Sequence, residues 1–215
     1  MGLRKVATMS LDYAFGYDVT QGFCRTFEEA GGQVIQKIWT PLGALDLAPY
    51  LAQIDREADA LFTLYWGSFS FRLVKQIVEA GLKDKMKILG GVTTVDEHVL
   101  RNMGDEAIGI ISSCNWSAAL DTPEAQAFIK EYRRRYNLDP SYYSEMSYSL
   151  FKWLFLAIQK IEGDVENKEK LMKTILGMKF NAPRGSLELD KFKNANQNVY
   201  IRRVDKVGEK LQNTV

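Results

Sequence analysis

Lys5-Val6-Ala7-Thr8-Met9-Ser10-Leu11-Asp12-Tyr13-Ala14-Phe15-Gly16-Tyr17-Asp18 decides the fold of this chain. Residues 6–9 read as a strand that runs into a loop, and the loop leads into a helix over about 18–30. On that helix Val19, Phe23 and Phe27 recur at four-residue spacing on one face, and Gly31-Gly32 ends it. A strand, a loop and a helix in this order begin an open α/β sheet. In such sheets ligands lie beyond the carboxyl ends of the strands, where backbone amides and loop side chains converge. Tyr13, Phe15 and Tyr17 stand at that place.

The same alternation continues outward. Strand two is expected over 33–39, a helix through Leu47, Tyr50, Leu51 and Ile54, and strand three over 60–64, apolar enough to be covered on both faces. Its carboxyl end opens into Tyr65-Trp66-Gly67-Ser68. A helix over 69–80 stops at Gly81, strand four covers 87–89, and Gly90-Gly91-Val92-Thr93-Thr94 forms its exit loop. Thr94 and Glu97 have capping-box spacing for a helix to about residue 102, and 107–112 makes strand five. The fold class is therefore α/β, an open and mainly parallel sheet wrapped by helices.

Beyond Ala118 the rhythm changes to three helices with no strand between them, started by Asp121-Thr122-Pro123 and ending at about 136, then over 143–161 and 167–176. The long one carries Met146, Leu150, Phe151, Leu154, Phe155, Ile158 and Ile161 together with Trp153, a stripe wide enough to require a large covering surface. Glu145 reads as an exposed helix position. Ala182-Pro183-Arg184-Gly185 then turns into a strand over 186–190, joined by a polar hairpin-like loop to a second strand over 198–204.

Composition narrows the function classes. With 46% hydrophobic and 26% charged residues, the 215-residue chain can bury one or two cores. Its 28 basic and 27 acidic residues create no field for nucleic acid or an anionic membrane, and Arg133-Arg134-Arg135 reads as a solvated helix face. No apolar run approaches the roughly 18 residues of a membrane span, and Met1-Gly2-Leu3-Arg4-Lys5 holds no signal-peptide core. Cys24 and Cys114 read as two buried thiols, and His98 as a solvated surface residue rather than a catalytic base. Two distant cysteines and one histidine make no metal cluster, and the nucleophile elbow, Walker loop and dinucleotide fingerprint are absent, so no cofactor is called for.

Several segments carry a resemblance. Asp12-Tyr13-Ala14-Phe15-Gly16-Tyr17-Asp18, Gly43-Ala44-Leu45-Asp46-Leu47-Ala48-Pro49-Tyr50-Leu51 and Ala58-Asp59-Ala60-Leu61-Phe62 come first. Ala125, Phe128, Tyr132 and Tyr136, then Asp139-Pro140-Ser141-Tyr142-Tyr143 running into Tyr148, and Ala182-Pro183-Arg184-Gly185 before Leu187 and Asp190, follow. In order and spacing the chain resembles, over nearly its whole length, the substrate-binding proteins of branched-chain amino acid (Leu/Ile/Val) type ABC transporters. The resemblance implies two α/β lobes joined by three crossing segments, closing on a small ligand by hinge motion, without bond chemistry. It implies a periplasmic or extracytoplasmic location and a membrane permease as partner. It also implies that the first lobe is mostly absent. Residues 1–118 and 180–215 would form lobe two, 119–179 would be helices belonging to the incomplete first lobe, and Met1 would mark a truncated or internally started frame.

The carry-over of site residues follows from that resemblance. Phe15, with Tyr13 beside it, sits where the family has an aromatic residue that packs on the ligand, and Trp66, Gly67 and Ser68 sit in the loop that offers another. Val92, Thr93 and Thr94 occupy the loop where amino-acid binders place a carboxylate for the ligand's ammonium group, and Tyr143 sits where the family has an aromatic near the hinge. This loop has no acid, and a buried ammonium without a counter-charge is costly. The ligand class therefore stays open between an amino acid and an aromatic or apolar carboxylate whose charge would meet helix N-terminal amides near Thr94. A ligand-sensing domain of a receptor or regulator with the same fold is the alternative, and an α/β enzyme the more remote one.

Overall fold

Strands and helices alternate in the first of two units, made by the chain up to Ser113 together with Ile201–Thr214. The structure is a computed structural model that describes residues 2–215. β1 (Lys5–Leu11), α1 (Ala14–Glu29), β2 (Gln33–Thr40), α2 (Ala48–Leu51), β3 (Ala60–Leu64), α3 (Ser68–Glu79), β4 (Lys87–Gly90), α4 (Glu97–Leu100) and β5 (Ile111–Cys114) follow in order. Side chains of a strand point alternately to the two faces of its sheet, and here both faces are covered. Ala7, Met9, Leu11 and Leu61 enter one apolar cluster with Leu51, Leu73 and Ile77. Val6, Ala60, Phe62 and Leu64 enter another, against which Val19, Phe23 and Phe27 of α1 pack. The Phe23 and Phe62 rings stack at 4.0 Å. All five residues of β3 are buried, as its apolar run demands.

The second unit spans Cys114–Tyr200. It holds α5 (Pro123–Tyr136), α6 (Tyr142–Lys160) and α7 (Lys168–Leu176), then an antiparallel sheet of β6 (Lys179–Ala182), β7 (Gly185–Leu189) and β8 (Ala195–Asn196) in that order. Each helix begins on a side-chain cap: Thr122 accepts from the Ala125 amide, Ser141 from Ser144 and Asn167 from Lys170. Residues 180–200, read from the sequence together with the parallel sheet, group here with the three helices.

On α6 the buried residues are Glu145, Ser149, Trp153 and Ala157, a stripe at four-residue spacing. Glu145, expected to be exposed, is fully buried and forms an ion pair with Arg184, whose side chain is 6% exposed. Ser149 Oγ donates to Glu145 Oε1 at 2.5 Å, and Arg184 Nη1 donates to Gln197 Oε1 at 3.0 Å. Burial pushes the Glu145 carboxyl above the usual carboxylate range, against the pull of Arg184. The adjacent face carries the apolar stripe recognised in the sequence. Leu150 is 64%, Phe151 56% and Phe155 62% exposed. A hollow of about 500 Å³ opens there, lined by Met146, Leu150, Leu154, Leu187, Arg184 and Gln197 among others.

The chain then returns to the first unit with β9 (Tyr200–Val207) and β10 (Lys210–Thr214), completing a seven-stranded sheet in the order β10-β9-β5-β4-β3-β1-β2. The pairs among β1 to β5 are parallel, and β10 is an antiparallel edge. The hairpin expected between 186–190 and 198–204 does not form. β7 pairs with β6 and β8, whereas Val204 of β9 belongs to the apolar cluster of the large sheet and exchanges backbone bonds of 2.8 and 2.9 Å with Gly109 and Ile110. Ala107, expected to open strand five, ends a single 3₁₀ turn over Asp105–Ala107, and the strand begins at Ile111. Cys24 and Cys114 are buried and not joined in a disulfide.

Candidate functional site

The parallel strands stand in the order β2-β1-β3-β4-β5, so the chain leaves β1 to one side for β2 and to the other for β3. In open α/β sheets the binding crevice lies beyond the carboxyl ends of the strands where the winding direction reverses, a point that falls here between β1 and β3. The exits of β1 and β3 bring together residues more than fifty positions apart in sequence. Tyr13 precedes the first turn of α1, and its ring centroid lies 6.1 Å from that of Phe15. Trp66 follows β3 and meets Phe69 edge-on at 5.7 Å. Phe15 and Trp66 are each 38% exposed. Burial raises the Tyr13 phenol above its ordinary pKa, and a hydrogen bond with the Trp66 side chain works against that rise.

Residues 14–17, expected in a loop, belong to α1, which begins at Ala14. Gly16 permits this early start: a Cβ there would fall on the Leu11 carbonyl oxygen, so only glycine lets the first turn of α1 lie against the end of β1. Tyr17 is not part of the aromatic group at the crevice. Its hydroxyl donates to the Asp12 carboxylate and its ring lies 4.4 Å from Trp39 of β2.

Beneath the rings the strand ends are tied by hydroxyl groups. Thr20 Oγ1 donates to Ser10 Oγ at 2.8 Å, and Thr40 Oγ1 and Tyr65 Oη lie 2.6 Å apart. Thr93 Oγ1 donates to the Tyr65 carbonyl at 2.7 Å; Thr94 Oγ1 donates to the Thr63 carbonyl at 3.0 Å and accepts from the Tyr65 amide at 3.3 Å. Thr93 and Thr94 are each 1% exposed, so of the three expected contact residues in the β4 exit loop it is half-buried Val92 that has open surface. Gly67 has φ +56°, a left-handed conformation suited to glycine, and ends the β3 exit as α3 begins with Ser68.

The capping box expected of Thr94 and Glu97 is not made, because Thr94 is occupied with β3. Asp96 caps α4 instead, accepting from the His98 amide at 3.4 Å, and its carboxylate lies 2.7 Å from His98 Nδ1. His98, expected at a solvated surface, keeps only 30% of its side chain exposed. Glu97 is buried beside Arg202 Nη1 at 3.6 Å, and burial, with Asp96 adding to it, pushes its carboxyl up to about 8. The sequence reading missed the supporting groups Ser10, Thr20, Thr40 and Tyr65; Ser10, Thr40 and Tyr65 share the signal of a polar residue at a strand end, whereas Thr20 lies within α1.

α1 and α3 begin on Tyr13 and Gly67, with no side-chain cap and no acidic residue in the first turn. Their positive dipole ends therefore meet the strand exits without a side-chain cap, with Asp12 just before the start of α1. Tyr143 lies in the first turn of α6 in the second unit, 42% exposed, with its ring 5.2 Å from that of Tyr142. Among the described residues no group of His, Cys, Asp and Glu side chains could hold a metal ion, and no helix is long and apolar enough to cross a membrane.

Comparison with known proteins agrees with this geometry. A family model described as periplasmic binding protein matches residues 1–209. A Leu/Ile/Val-binding protein homolog 6 from Brucella abortus is 28% identical over 214 residues, which is 97% of this chain and 55% of that protein. An ABC transporter substrate-binding protein from Sphaerobacter thermophilus superimposes with a TM-score of 0.95 at 29% identity, over 100% of this chain and 60% of that one. A solute-binding protein of an ABC transporter from Rhodopseudomonas palustris, solved in complex with 3,4-dihydroxybenzoic acid, gives 0.91 at 32% identity, over 99% and 59%. The chain thus spans rather more than half the length of the relatives it matches.

Proposed function

The chain belongs to the periplasmic binding protein family, and from that premise we propose that it is the solute-binding component of an ABC importer and takes a small aromatic carboxylate at the strand exits of its first unit. The observation that carries the ligand class is the chemistry of those exits. Tyr13, Phe15 and Trp66 offer ring faces, and two helix N-termini have no side-chain cap and no acidic residue in the first turn. The nearby carboxylates are engaged, Asp12 with the Tyr17 hydroxyl and Asp96 in capping α4. A ligand ammonium would have to share a carboxylate already bonded within the chain, whereas a ligand carboxylate would meet amide donors. The 3,4-dihydroxybenzoate complex of the Rhodopseudomonas relative supports the same class.

In this reading the first unit is the second lobe of a two-lobed clamp. The exposed face of α6 receives a further lobe, of which the additional length of the relatives is the source. The ligand is then enclosed by hinge closure with Tyr143 near the hinge, and the loaded protein delivers it to a membrane permease from the periplasm. Trp66 places a fluorophore at the crevice. Titration with 3,4-dihydroxybenzoate and with leucine, read by tryptophan fluorescence and calorimetry, tests the ligand class. Saturable binding of the aromatic acid that Trp66→Ala abolishes supports it; leucine binding more tightly than the aromatic acid refutes it.

A further inference from the structure

The polar cluster behind the β4 exit loop ties the carboxyl-terminal strand to the candidate site. Asn213 of β10 is fully buried, and its Nδ2 donates to the Val95 carbonyl at 2.8 Å and to Glu97 Oε1 at 3.2 Å. Val95 lies three residues beyond Val92, the member of that loop with open surface. Glu97 in turn lies against Arg202 of β9, whose Nε donates to Ser112 Oγ of β5 at 3.3 Å. On its other side the loop is held by Thr93 and Thr94, which bond the end of β3. The loop is thereby suspended between two anchors, one on the strand that precedes it in the sheet and one more than a hundred residues later in the chain.

We propose that Asn213 is a positioning residue for the ligand site: its amide fixes the β4 exit loop, and with it Val92, so that the last strand sets the geometry of the crevice it does not touch. A buried carbonyl that loses its donor leaves the loop free to open locally. The consequence for affinity rests on the ligand site proposed above, while the consequence for the loop does not.

Hydrogen exchange of the backbone amides distinguishes the two. Asn213→Ala removes the side chain, and Asn213→Asp keeps its shape but replaces the donor with an acceptor that faces the Val95 carbonyl. Both variants should speed exchange over residues 92–96 by about tenfold, the worth of one buried hydrogen bond, while amides of β1 and β3 stay within about twofold of the unsubstituted chain. Both should also weaken 3,4-dihydroxybenzoate binding by a similar factor. Faster exchange throughout the first unit, or loosening by Asn213→Ala without loosening by Asn213→Asp, overturns the proposal, since it would make Asn213 a general packing residue. An unsubstituted chain that fails to bind 3,4-dihydroxybenzoate sinks the ligand assignment, and the exchange pattern still decides the role of Asn213.

Discussion

Replacing Arg184 by Met removes the counter-charge of a carboxylate that has no exposure of its own. Glu145 is 0% and Arg184 6% exposed at the side chain, so the pair lies out of water. Breaking such a pair from one side costs about 3–5 kcal/mol, most of it the penalty of the charge left behind. Two features of the site place Arg184→Met at the lower end of that range. Ser149 Oγ continues to donate to Glu145 Oε1 at 2.5 Å. Burial already holds the Glu145 carboxyl above the usual range, and losing Arg184 raises it further, so protonation relieves part of the cost of the unpaired charge. The Gln197 acceptor, 3.0 Å from Arg184 Nη1, keeps a second donor in Asn115 Nδ2 at 2.9 Å. The expected loss at pH 7 is about 3 kcal/mol, which at about 2 kcal/mol per molar urea lowers the midpoint by about 1.5 M. The sign of the pH dependence follows. A carboxyl whose folded pKa is raised contributes stability in full below its unfolded pKa and loses it as pH rises through the folded value. Arg184→Met raises the Glu145 pKa further, so its deficit against the unsubstituted chain should be smallest in acid and grow as pH rises. The double variant Glu145→Gln with Arg184→Met leaves a neutral amide that Ser149 can still bond, and should recover to within about 1 kcal/mol. Urea unfolding followed by circular dichroism and tryptophan fluorescence measures all three. A single-variant loss under about 1 kcal/mol, or a deficit that shrinks as pH rises, would refute the view that this pair ties the turn between β6 and β7 to α6.

Other consequences are more local. Because Glu97 titrates in the folded state at about 8 rather than at the ordinary 4.5, its contribution to stability is complete below 4.5 and declines through 8; thermal midpoints should fall over that window, and Glu97→Gln should flatten the fall. Tyr65→Phe deletes the 2.6 Å contact with Thr40 and should lower unfolding free energy by about 1 kcal/mol in urea titration, with no change in the m-value. Phe151→Lys and Phe155→Lys alter the exposed face of α6; both should reduce hydrophobic-dye fluorescence markedly while shifting stability by no more than about 0.5 kcal/mol. An unaltered dye signal would mean that the dye reports some other surface.

How much was legible in the chain depended on the range of the interactions involved. β3 could be read because covering both faces of a strand requires an unbroken apolar run, and Ala60–Leu64 is one. The aromatic residues at the exits of β1 and β3 were found for the same reason: once consecutive parallel strands are recognised, their carboxyl ends are the places to look. The α4 cap was misread because Thr94 and Asp96 both suit the start of that helix, and the choice fell to Thr94's competing bonds with Thr63 and Tyr65, about thirty residues away. Glu145 was misread because its buried position is visible only beside Ser149, Trp153 and Ala157, a stripe weaker in apolar character than the one next to it.

The sequence by itself determined the succession of strands and helices, the chemistry placed at the strand exits and the family, because periodicity, turn residues and segment order are local properties of the chain. Only the tertiary structure decided which of those groups remain open. It sank Thr93 and Thr94 into the joint between β3 and β4, turned Tyr17 away to Asp12 and Trp39, and brought Arg184 to Glu145 and Asn213 to Val95. The physical reason is that a polar group inside a fold must find its partner wherever the topology supplies one. That partner need not be near in sequence.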